Sequence, residues 1–128
     1  MDMLDFVRSM VNRTRVWRER AITGLEEIGC DLSYRPKSGM SSFGWLLAHQ
    51  AAVYDFSLNI VIKEGPAKNS GLFSQHIPGT SGDWTRISKQ EIENYYSDGE
   101  SDLLAWVEEA TDMDLLRILG GEKIPNTF

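Results

Sequence analysis

Between Ser41 and Gly65 the chain reads SSFGWLLAHQAAVYDFSLNIVIKEG, with two largely apolar stripes at helical spacing. One stripe is Leu46, His49, Val53, Phe56 and Ile60; the other is Phe43, Leu47, Gln50, Tyr54, Leu58 and Val61. Steps of three and four residues mark an α-helix. Two stripes rather than one mark a helix buried around most of its circumference. Such a helix needs neighbours on several sides, so it is the centre of the fold. Ser41 or Ser42 offers a capping hydroxyl at its start, and Gly65-Pro66 ends it. His49, Gln50, Asp55 and Asn59 interrupt it too often for a membrane span.

The neighbours are legible on either side. Residues 2–28 carry Val7, Met10, Thr14, Trp17, Ala21, Leu25 and Ile28 at helical steps, with Gly29 as terminator and DLSYRPKSGMS as a connecting loop. Residues 88–110 open on a capping box, Ser88 with Glu91, and continue through Ile92, Tyr96, Gly99, Leu103, Trp106 and Ala110. The register survives Asp98-Gly99, so one helix is expected there, and MDLLRIL beyond it reads as a further short turn. Residues 66–87 show no sustained period and read as a long connection.

Helices of about 24 residues span roughly 36 Å. The short first connection makes helices one and two antiparallel. The long second connection can stretch roughly 70 Å, enough to return along the bundle and start helix three parallel to helix two. The expectation is one all-α domain over residues 1–128, with crossover-type bundle topology.

Composition narrows function mainly by exclusion. Residues 1–37 hold seven basic and six acidic side chains, and residues 38–128 hold six and thirteen. The arginines near the start (Arg8, Arg13, Arg15, Arg18, Arg20) are therefore a solvated helix face, with Arg15 and Glu19 spaced to pair, and no nucleic-acid partner is expected. A lone cysteine, Cys30, rules out an intrachain disulfide framework and fits a reducing compartment. The start of the chain lacks a signal-peptide layout, so a cytoplasmic protein with no membrane association is expected. Nucleotide-binding, serine-hydrolase and thioredoxin motifs are absent.

His49 is the residue with the most chemistry to offer. A single histidine on an apolar helix face is either a hydrogen-bonded core residue or a metal ligand, and the pattern leaves both open. Asp55 lies about 120° around the same helix, so it cannot share a metal with His49; a helix-surface or loop-anchoring hydrogen bond is its expected role. Cys30 sits beyond the end of helix one, at a different depth from His49, and reads as a small boundary residue. His76, in SQHIPG, reads as a surface-loop histidine, with folding over the bundle mouth as the alternative. Trp17, Trp45, Trp84 and Trp106 read as packing anchors.

The run YRPKSGMSSFGWLLAH, then Asp55 and Leu58-Asn59, SGDWTRIS before helix three, and ATDMDLLRIL after it together resemble the DinB-like (YfiT-like) family of helix bundles. The likeness covers nearly the whole chain. It implies an up-down-down-up four-helix bundle, often dimeric, holding a divalent metal (Zn or Ni) with three histidines. One of these falls at His49; the other two belong to an H-x-x-x-H pair on the fourth helix. Characterised members of the family include metal-dependent transferases acting on low-molecular-weight thiols. The resemblance thus implies a thiol S-transferase or hydrolase with a small-molecule substrate. This sequence departs from the pattern at PNTF (125–128), where the segment leading to helix four is reached without the H-x-x-x-H pair. The metal site expected here is incomplete, with His49 the one ligand encoded, and the fourth helix is truncated or supplied by a partner. A non-catalytic bundle that binds a small ligand or another protein stays open as the alternative. Three amphipathic helices also leave apolar surface to cover, so a homodimer or an exchange of helices between chains is expected.

Overall fold

The computed structural model describes residues 2–80 and 87–119, and these are helical without strands. In chain order they form α1 (Met3–Glu27), α2 (Phe43–Asp55), which continues as a π-helix over Phe56–Ile62, α3 (Ser70–Gln75), α4 (Lys89–Glu109) and α5 (Asp112–Leu119). Each α-helix starts on a side chain that accepts a backbone N–H. Asp2 takes that of Asp5 (2.8 Å), Ser42 that of Trp45 (3.1 Å), and Asn69 that of Leu72 (3.0 Å). Ser88 takes that of Glu91 (3.1 Å) and Thr111 that of Asp114 (3.3 Å). Such caps contribute about 1 kcal/mol each. Ser42, buried, is the cap of α2, and Ser41 stays exposed.

Long-range contacts fix the direction of the helices. Lys89 reaches Glu26 (2.8 Å) and Arg8 reaches Glu108 (2.8 Å), so α1 and α4 are antiparallel. Leu25 and Ile28 share a cavity wall with Phe43 and Leu46, while Arg18 meets Gln50 (3.4 Å), so α1 also opposes α2. Both α2 and α4 run against α1, and hence parallel to each other, as the long connection between them allows.

The core lies where α2 meets α4. Ala48, Ala51 and Ala52 are fully buried, and Leu47, Leu72, Ile87, Ile92, Tyr95 and Tyr96 close around them. Small residues let α4 approach closely. A Cβ on Gly99 would lie 3.1 Å from Cβ of Tyr54, so glycine at the crossing serves packing, and α4 runs through it unbroken. Burying a side chain such as Ile92 or Leu58 contributes roughly 1.5–3 kcal/mol. Beyond Asp55 the helix widens, with Lys63 N–H bonding to Leu58 (2.9 Å) and Gly65 N–H to Asn59 (2.8 Å). Glu64, at φ 54, then turns the chain away.

Three expectations need correction. The buried face of α1 is Val11, Arg18 and Leu25 flanked by Ile22, whereas Met10, Trp17 and Ile28 are 47%, 67% and 68% exposed. The stripe read from the sequence is displaced around the helix because Arg18, a core residue here, does not register as apolar. Trp17 is accordingly no core anchor, while Trp45 is buried, Trp106 half-buried, and Trp84 lies outside the described residues. Finally, the connection after α2 contains α3, too short to show a period, and ends in a histidine that is buried. The PNTF segment and most of SGDWTRIS also fall outside the described residues.

Candidate functional site

His49 sits in the middle of α2, half-buried, on a different side of that helix from Ala51. One turn earlier, Trp45 stacks flat against its ring, with centroids 4.7 Å apart and planes 9° from parallel. The i,i+4 spacing places both rings on one helix face. Over this pair folds the turn that follows α3. The His49 Nδ1 atom lies 2.6 Å from the carbonyl oxygen of His76, and the Trp45 indole N–H donates to Thr80 Oγ1 (3.3 Å). The Thr80 hydroxyl itself lies 2.6 Å from the carbonyl of Gln75 and 2.7 Å from that of Ile77. A carbonyl oxygen only accepts, so Nδ1 of His49 carries a proton, and the lone pair of the neutral ring lies on Nε2.

His76 is fully buried, contrary to the surface position expected for a loop histidine. The physical reason is tertiary: α3, capped by Asn69, turns Leu72 and Phe73 toward the core, and His76 closes the helix with its N–H on Phe73 O (3.1 Å). Its Nδ1 lies 2.6 Å from the carbonyl of Leu72. Burial pulls its pKa below the ordinary imidazole value; the Leu72 carbonyl opposes this, and the charge of His49 adds to it. A buried, neutral imidazole results.

Asp55 anchors the other end of the same connection. It is 2% exposed and accepts four hydrogen bonds: from Asn59 Nδ2 (2.7 Å), Lys68 N–H (2.7 Å), Asn69 N–H (3.2 Å) and the Tyr95 hydroxyl (2.7 Å). Burial alone would raise its pKa, but the Tyr95 hydroxyl and the other three donors outweigh it and hold the carboxyl below its usual range. Tyr95 is pushed far up, first by burial and then by Asp55, and stays a donor. Of the two roles expected for Asp55, loop anchoring is the one realised. With His49 at one end and Asp55 at the other, α2 holds the 68–80 segment at two points. Between α2 and α4, beside Asp55, lies a groove of about 310 Å³ walled by Tyr54, Leu58, Asn94, Tyr95, Asp98 and Asp102, among others.

The third buried polar group joins α1 to α4. Arg18 and Glu100 form an ion pair, with side chains only 4% and 6% exposed, and the guanidinium lies 4.0 Å over the Tyr96 ring. Burial works against the charged guanidinium, but Glu100 overrides it and raises the Arg18 pKa further. Arg15, expected to pair with Glu19, donates to Asn12 Oδ1 (3.2 Å).

The structure thus brings His49 and His76 together and leaves Asp55 and Cys30 elsewhere. Cys30 is half-buried and lines a separate cavity of about 300 Å³ with Glu26, Asp31 and Lys89. No group of three or more His, Cys, Asp or Glu side chains converges as a metal cluster among the described residues. Nor is any helix there long and apolar enough to cross a membrane. Sequence reasoning missed the His76 carbonyl and the Trp45 stack. The Trp45–His49 spacing was the signal available for the second; nothing local could reveal the first.

A profile of the DinB superfamily matches residues 17–128. Neither the curated proteins nor the solved structures contain a match.

Proposed function

This chain belongs to the DinB superfamily, and from that premise we propose that it is a divalent-metal-dependent enzyme of the thiol S-transferase or hydrolase type, with His49 as one metal ligand. The observation that carries this reading is the 2.6 Å contact between His49 Nδ1 and the His76 carbonyl. Ligating histidines commonly give their other ring N–H to a carbonyl, which sets the tautomer and the ring angle. His49 therefore fits one ligand position through Nε2. The described residues do not by themselves complete a set of three. A Zn²⁺ or Ni²⁺ ion held this way supplies Lewis acidity toward a bound thiol or water. The protein's own contribution is positional: Trp45 fixes one face of the imidazole, and residues 76–80 cover it from solvent.

Association belongs to the same proposal. Met10, Trp17, Ile28, Met40 and Leu46 are all about half or more exposed, and an apolar groove of about 320 Å³ runs between α1 and the start of α2. A homodimer or exchanged helices would cover it.

Metal analysis of the purified protein tests the reading. Stoichiometric Zn²⁺ or Ni²⁺ that is lost in His49→Ala is expected. A folded wild type that takes up neither ion would favour a second reading, a non-catalytic small-ligand module. The observation favouring that alternative is the groove of about 310 Å³ beside Asp55, whose walls do not include His49.

A further inference from the structure

We propose that the solvent-facing groove of α1 seats a second copy of the chain, whose acidic junction between α4 and α5 enters it. The inference rests on the association proposed above and names the two surfaces that meet.

The first surface is basic and aromatic. Arg8, Asn12, Arg13, Val16, Trp17 and Arg20, among others, wall a shallow groove of about 500 Å³ along α1. Trp17 is 67% exposed, and the Arg20 guanidinium lies 5.4 Å over its ring. Arg8 is committed to Asp5 and Glu108, whereas Arg13 and Arg20 have no ion pair among the described residues. Tryptophan and arginine are the side chains that most often dominate binding at protein interfaces. Two unneutralised cations around an open indole, on a chain of net charge −6, suit an anionic partner that also offers one apolar group.

The second surface supplies both. Glu109 and Asp112 are exposed and have no ion pair among the described residues. Beside them Met113 is 73% exposed. Three residues separate the two carboxylates, at most about 10 Å of chain; Arg13 and Arg20 lie roughly 10 Å apart along α1. A thioether packs favourably against an aromatic ring, and carboxylates pair with guanidinium groups. Met113 of one copy thus meets Trp17 of the other, with Glu109 and Asp112 against Arg13 and Arg20.

The third observation selects a second copy over an unrelated acidic peptide. Arg8 walls the groove and donates to Glu108 (2.8 Å), the residue before Glu109. Groove and acidic junction therefore adjoin on one molecule. A two-fold axis passing between them sets each onto its counterpart in the partner, so the contact is made twice.

Charge reversal tests the pairing, read by light scattering of the full chain at micromolar concentration. Arg13→Glu with Arg20→Glu makes the groove acidic, and Glu109→Lys with Asp112→Lys makes the junction basic. All four side chains are exposed, so circular dichroism should stay unchanged. Each double variant alone should associate about tenfold or more weakly than wild type, because both contacts then join like charges. An equimolar mixture of the two should recover association, since both contacts are again opposite in charge. Wild-type association should weaken as salt rises, a readout that needs no variant. Undiminished association of either variant, a mixture that fails to recover, or a salt-insensitive wild type would overturn the inference and leave association through apolar surface standing. A monomeric wild type would overturn both.

Discussion

The two flanks of α2 solve opposite problems. Toward α4 the surface is closed: Ala48, Ala51 and Ala52 let the helices meet, and polar groups are buried beside them. Asp55 takes four donors there, and Arg18 with Glu100 neutralise one another nearby. Toward the first connection the surface is open, with Leu46 half-exposed beside Ile28, Met40 and Tyr34. The closed flank buries charge at a cost and recovers it through geometry. The open flank buries little and displays apolar surface. One flank is finished within the chain, whereas the other leaves apolar side chains exposed; a homodimer that covers them is the proposal.

Substitutions in the closed flank should have the largest effects. Glu100→Leu leaves a buried guanidinium without its carboxylate and should cost about 3–5 kcal/mol by urea denaturation. The double change Arg18→Met with Glu100→Leu should recover most of that loss, because no unpaired charge then remains. Equal loss in the single and double variants would place the stability in packing instead. Asp55→Asn removes a charge that organises four donors and should cost about 2–3 kcal/mol near neutral pH.

The pH dependence of that second cost has a definite sign. The folded-state pKa of Asp55 is depressed, so its contribution is present in full above the unfolded value, near ~3.9, and is lost as pH falls through the folded value. The stability gap between wild type and Asp55→Asn should therefore be flat above about pH 5 and shrink below about pH 4. A gap that instead widened on acidification would contradict the charged, fully bonded Asp55.

Gly99→Val tests the close crossing. It pushes side-chain atoms at Tyr54, and should cost about 1–3 kcal/mol, against the usual gain from replacing a helical glycine. The smallest effect belongs to the open flank. Trp17→Ser should change unfolding free energy by no more than about 0.5 kcal/mol, since the ring is 67% exposed. Light scattering at micromolar concentration sharpens the contrast: wild type is expected to associate and Trp17→Glu to do so less. A wild type that stays monomeric would leave the open flank without its proposed cover.

Most of the fold was legible because it is written in local terms. Helical steps marked α1, α2 and α4, the Ser88–Glu91 box marked the start of α4, and the length of the second connection implied parallel α2 and α4. Membership of the DinB superfamily was legible too, from the Pro36-to-His49 run and the segments around α4. What escaped was tertiary. Arg18 occupies the core face of α1, so counting apolar residues displaced that face toward Met10 and Trp17. The π-helical widening after Asp55 leaves no mark in residue type. His76 reads as a loop histidine until α3 carries it inside, and only then does its carbonyl reach His49.

The ¹⁵N imidazole spectrum of the metal-free protein tests most directly whether His49 is held as a ligand would be. With Nδ1 bound to the His76 carbonyl, the neutral form of His49 should show a protonated Nδ1 and a pyridine-like Nε2. A pyridine-like Nδ1, or two nitrogens averaged by tautomer exchange, would contradict it.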